Sequence, residues 1–184
     1  MSDPRSVFVI HGRDEQARTA MFQFLRAIDL RPLEWEEIVR ATASGAPFLG
    51  DAVAAAFTRA QAVLVLLTPD DVVFLHKDLH EQREAEFETR PIGQARPNVL
   101  FEAGMAFGSH PTRTVIVEVG ELRPFADIAG RNVVRFDGRV GKLQKIAQRL
   151  ADAGCAVNTV GADWLRGDRF TRLGAYTRKP YDCA

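Results

Sequence analysis

The unbroken apolar run Ala62-Val63-Leu64-Val65-Leu66-Leu67 constrains this chain more than any other feature. A strand with one face in water alternates apolar and polar residues, so a continuous run demands burial on both faces. Val7-Phe8-Val9-Ile10 has the same character and stops at His11-Gly12. Such runs are far too short to span a bilayer. Between them the period changes to that of a helix: Ala17, Met21, Phe24, Leu25 and Ile28 recur after Asp14 and Glu15, acids that favour a helix's positive end. Residues 48–60 are alanine-rich and helical, and Val140, Leu143, Ile146, Ala147 and Leu150 form a last amphipathic helix before Gly154. Residues 31–35 read as an edge strand because of Pro32, and residues 114–118 and 132–136 as two more. Strands alternating with helices predict an α/β fold, a five-stranded parallel sheet with helices on both faces. In such sheets ligands sit beyond the strands' carboxyl ends. Those ends here are His11-Gly12-Arg13, the loop at Trp35, and Thr68-Pro69-Asp70-Asp71.

Composition narrows the partners. The 184 residues are 46% hydrophobic and 26% charged, which suits one globular domain, residues 1–154, with a tail or linker at 155–184. The tail either docks on the body through Asp163-Trp164-Leu165 and Asp168-Arg169-Phe170 or leads as a solvated linker to a further module. Zero net charge leaves no global footprint for nucleic acid or an anionic membrane. The polar start has no signal-peptide core, and Cys155 and Cys183 show no metal spacing, so a cytoplasmic protein is expected. His76, His80 and His110 have no spacing with carboxylates that would hold a metal, and neither a metal nor a resident cofactor is expected. The charged insertion 72–93 is expected to be a mobile or solvated excursion.

The candidate site starts from Ala95-Arg96-Pro97-Asn98-Val99-Leu100-Phe101-Glu102-Ala103-Gly104-Met105-Ala106-Phe107-Gly108. Pro97 suits the first helical position. Asn98 and Glu102 then share a face, and Val99, Leu100, Ala103 and Phe107 line the buried side. An acid with apolar neighbours is costly unless it is hydrogen-bonded or protonated more readily. It is either a functional carboxylate or a marginal residue paired with Arg96 or Arg13. At the first strand's end, Gly12 and the free N–H groups of the helix start offer an anion site that Arg13 would reinforce; alternatively His11 and Arg13 cap the turn and pair with Asp14 or Glu102. Trp35 either stacks on a ligand ring or closes the sheet edge. Thr68 and Asp70 either meet ribose hydroxyls or make a helix-start turn.

Three segments taken in order carry a resemblance: residues 7–15 (VFVIHGRDE), 63–71 (VLVLLTPDD) and 95–104 (ARPNVLFEAG). Over residues 6–154 the chain resembles the bacterial TIR-like predicted nucleotide-binding family, Toll/interleukin-receptor-type domains fused to STING-like, SAVED or transmembrane modules in anti-phage defence. The resemblance implies a flavodoxin-like TIR fold and an NAD⁺ glycohydrolase with Glu102 as catalytic residue. It further implies activation by oligomerisation, self-association through residues 36–47, and a fused or partner sensor module. NAD⁺ is then the substrate. Arg13 and the Gly12 backbone would hold its pyrophosphate, Trp35 would stack near a ring, Thr68 or Asp70 would contact a sugar, and His11 and Asn98 are further binding residues. The chemistry is consistent with one carboxylate: nicotinamide leaves neutral and needs no acid, whereas the developing oxocarbenium ion needs nearby negative charge. Two other readings remain: a non-enzymatic TIR-type module that signals by stacking, and a deoxyribosyltransferase-like nucleotide enzyme.

Overall fold

In the computed structural model, residues 3–41, 49–124 and 133–180 are described. In chain order the elements are β1 (Asp3–His11), α1 (Glu15–Ala27), β2 (Arg31–Leu33), α2 (Trp35–Ala41), α3 (Leu49–Arg59) and β3 (Ala60–Leu67). They continue with β4 (Asp71–Val73), α4 (Glu86–Thr89), β5 (Ile92–Gln94), α5 (Pro97–Ser109), β6 (Thr114–Val119), β7 (Val134–Phe136) and α6 (Val140–Asp152). The main sheet is parallel throughout, in the order β2-β1-β3-β6-β7. This is the doubly wound order of flavodoxin-like folds.

The continuous apolar runs are explained by two cores, one on each face. Along β1, Val7 and Val9 pack with α1 and α6, while Phe8 and Ile10 pack with α2, α3 and α5. Along β3, Ala62, Leu64 and Leu66 face the first core, and Val63, Val65 and Leu67 the second. Each of these side chains is almost fully buried, at roughly 1.5–3 kcal/mol for a Val, Leu or Ile. Pro32 is tolerated because β2 is the sheet's edge and has one unpaired side.

Several expectations differ from what forms. The second strand stops at Leu33, and Trp35 opens α2 instead of ending β2. The N–H groups of Glu37 and Ile38 donate to the Glu34 carbonyl, and Ile38 is buried in the second core, so helical pairing wins over extension here. Of the expected self-association loop, residues 36–41 are therefore helical, and 42–47 lie outside the described residues, as does Asn132 before β7. The insertion is not a bare excursion. β4 and β5 pair antiparallel at the end of β3, the Leu75 N–H donates to the Glu88 carbonyl (2.7 Å), and Arg123 pairs with Glu88. Many of its side chains are nonetheless solvated.

Of the two courses open to the tail, docking is the one that residues 164–176 take. They form 3₁₀ turns at Asp163–Leu165, Gly167–Phe170 and Gly174–Tyr176, and bury Trp164, Phe170, Leu173 and Ala175 in the α1–α6 core. The Phe170 ring meets Phe136 edge-on at 4.7 Å and Phe24 at 6.3 Å. The Ala175 carbonyl lies against Gly120 (φ +85°) so closely that a Cβ there would come within 2.2 Å of it. Phe170→Ala is expected to cost about 3–5 kcal/mol in denaturant unfolding, the range for emptying a filled aromatic site. A change under about 1 kcal/mol would show that the tail is not part of the core.

Candidate active site at the carboxyl rim of the sheet

The ends of β1 and β3 and the start of α5 meet at one rim, and its polar groups fall into two sets. The first is a closed network. The Asp14 carboxylate, 3% exposed, accepts from the Ala17 N–H (2.9 Å) and from Arg178 Nη2 (2.9 Å). Asp70, 5% exposed, accepts from the Arg13 N–H (2.7 Å) and from Thr68 Oγ1 (2.8 Å), with Arg178 Nη1 3.7 Å away. Arg178 also donates to the Pro69 carbonyl. Gly12 is required because a Cβ would lie 1.8 Å from Asp70 Oδ2. The close approach that glycine permits is thus taken by Asp70, from within the protein.

The network decides several of the expectations drawn from the strand ends. The Arg13 N–H and the Ala17 N–H in the first turn of α1 already have carboxylate acceptors, Asp70 and Asp14. Thr68 and Asp70 bind each other and the neighbouring backbone, and neither lines the cleft beside Glu102. Arg13 is exposed and also lies outside that cleft. The side chain of Trp35 lies outside the described residues.

The second set is an open cleft of about 390 Å³ beside β1. Its walls are β1 (Phe8, Val9, Ile10, His11), α1 (Glu15, Arg18, Phe22), the turn after β2 (Leu33, Glu34) and α5 (Asn98, Glu102). Of the residues singled out in sequence, His11, Asn98 and Glu102 therefore share this cleft. Pro97 does sit at the start of α5, and burial of Val99, Ala103 and Ala106 aims the Asn98–Glu102 face along the cleft. The His11 Nδ1 lies 2.9 Å from the Gly12 carbonyl. Since a carbonyl only accepts, this contact puts a proton on Nδ1 and leaves Nε2 as acceptor in the neutral ring.

Glu102 is half-buried, and desolvation raises its pKa above the ordinary 4.5. Among the described residues no hydrogen bond or ion pair offsets that burial. Arg96, one partner weighed for it, pairs with Asp71 at 3.1 Å instead. A desolvated carboxylate at the wall of a cleft can stabilise developing positive charge or accept from sugar hydroxyls. Sequence reasoning passed over Glu15, Arg18, Phe22 and Glu34. The first three recur at helical spacing from the end of β1, a signal that was present, whereas Glu34 reaches the cleft by tertiary folding alone.

With this geometry in place, two comparisons bear on the chain. Residues 6–138 match a family model described as CAP12/Pycsar effector protein, TIR domain. The chain is also 28% identical over 151 residues to the uncharacterized protein YuaY of Escherichia coli (strain K12). That alignment covers 82% of this chain and 46% of YuaY, so the chain spans about half the length of this curated relative. The family match covers most of the chain and agrees with the five-stranded parallel sheet in its doubly wound order. The chain belongs to the TIR-domain family of CAP12/Pycsar effector proteins, bacterial TIR-like domains of anti-phage defence.

Proposed function

We propose that this domain is an NAD⁺ glycohydrolase in which Glu102 is the catalytic carboxylate and assembly of several copies raises the activity. The observation that carries the reading is the desolvated Glu102, without a partner among the described residues, in a cleft with Asn98 and His11 at the carboxyl end of β1. Membership in an effector family supports it. In the reaction the bond between C1′ and the pyridinium nitrogen breaks and its electron pair returns to the ring, so nicotinamide leaves neutral. Water adds to C1′ and loses a proton to solvent, giving ADP-ribose. Glu102 faces the cationic sugar and accepts from its hydroxyls, and the low local dielectric strengthens that attraction. Asn98, one helical turn away, orients the same sugar. The sensor module and the activating signal belong to the wider protein or its partners.

Purified protein is incubated with NAD⁺ at high concentration or with a crowding agent, and nicotinamide release is followed. Glu102→Gln is expected to lower release at least 100-fold, the scale of losing an electrostatic stabiliser (~3 kcal/mol). Equal release by the variant, or none by the native chain under assembling conditions, overturns the reading and favours a stacking module without catalysis.

The raised pKa of Glu102 gives two further expectations. The ionised form is the active one, so the acid limb of the kcat/KM profile lies above the ordinary glutamate value of 4.5. A limb at or below that value contradicts the assignment. For stability the sign is opposite. The native state holds this proton more tightly than the unfolded chain, so Glu102 destabilises increasingly as pH rises from 4.5 through the native pKa. The Glu102→Gln protein should therefore melt higher than native at neutral pH, and the two Tm values should converge below pH 4.5. A lower Tm for the variant at neutral pH would show that the carboxylate has a stabilising partner.

A further inference from the structure

We infer that Arg18 is the phosphate anchor of this cleft, so that the site takes a phosphorylated nicotinamide nucleotide in preference to the bare riboside. The inference rests on the NAD⁺ reading and gives Arg18 the anion-holding role expected of Arg13. Elsewhere on the rim the Arg13 N–H is taken by Asp70, the Ala17 N–H by Asp14 and Arg178 by both acids, and the Arg13 side chain lies outside the cleft. Among the described residues lining the cleft, Arg18 is the one permanent cation. A phosphate there would face Glu15, Glu102 and Glu34, the last also held by Arg26 at 2.8 Å, carboxylates that repel it unless a cation stands nearby.

Its present contacts hold it ready without committing it. The Arg18 guanidinium stands 5.1 Å from the centre of the Phe22 ring, which is 4% exposed and itself meets His11 edge-on at 6.1 Å. That cation–π contact helps hold the guanidinium at the cleft wall. Its ion partners are Glu15 at 2.8 Å and Glu34 at 4.0 Å, with side chains 68% and 49% exposed. Pairs with such solvated carboxylates are weak, and a dianionic phosphate displaces them at small cost. The cleft thus holds one carboxylate that is not paired with Arg18, Glu102, for the cationic ring and sugar, and one arginine for the phosphate. At about 390 Å³ it suits the nicotinamide mononucleotide half of the dinucleotide, with the adenylate half outside.

Calorimetric titration of the full chain with nicotinamide mononucleotide and nicotinamide riboside, ligands that differ by one phosphate, tests this. The native protein is expected to prefer the mononucleotide by roughly tenfold or more. Arg18→Gln should erase the preference without weakening riboside binding, and Arg18→Lys should keep part of it. The inference is overturned by a preference that survives in Arg18→Gln. It is equally overturned if the native protein has no preference, or if both ligands weaken together, which would mean that Arg18 shapes the cleft instead of binding phosphate. Nicotinamide release from NAD⁺ is read in parallel. Phosphate preference without Glu102-dependent release defeats the hydrolase reading alone; release with an unaltered preference in Arg18→Gln defeats the anchor alone.

Discussion

The structure depends on the two-sided burial of β1 and β3. Alternate side chains of these strands feed separate cores, so helices must cover both faces of the sheet, and neither face is left for a ligand. Parallel pairing then brings the carboxyl ends of β1 and β3 to the same rim, with His11 beside Leu66 in register. Polar groups that strand interiors exclude collect there. The position of the cleft is thus a consequence of where the apolar runs stop.

At that rim the acids divide by how their charge is met. Asp14 and Asp70 are almost fully buried, and each receives backbone or hydroxyl donors and the Arg178 guanidinium. Glu102 is less buried and receives nothing comparable among the described residues. Asp14 and Asp70 tie the tail and the β1 turn together, whereas Glu102 stands at the cleft. Departures from local consistency of this kind concentrate where proteins act on ligands. The closed network also keeps the Gly12–Arg13 turn in place, and His11 with it, so the tail supports the cleft without lining it.

How much was legible depends on how far apart the interacting groups are. The strands at Val7–Ile10 and Ala62–Leu67 follow from unbroken apolar runs, and α1, α5 and α6 from helical period, because both are properties of a few adjacent residues. Pro97 and the Asn98–Glu102 face were legible for the same reason. The end of β2 was not, since Ile38 finds the second core and draws Trp35 into a helix. Nor was the order within the insertion, where β4 meets β5 across a long loop.

By itself the sequence determined which segments are doubly buried, hence a parallel α/β sheet, and that one acid lies on an otherwise apolar helix. Tertiary structure alone decided which charges meet. Arg178 reaches Asp14 across 164 residues, Asp70 takes the Arg13 N–H across 57, and Arg18 rather than Arg13 faces the cleft. The physical reason is range: hydrophobic period acts between neighbours in the chain, whereas a charge responds to whatever the fold brings within a few ångströms.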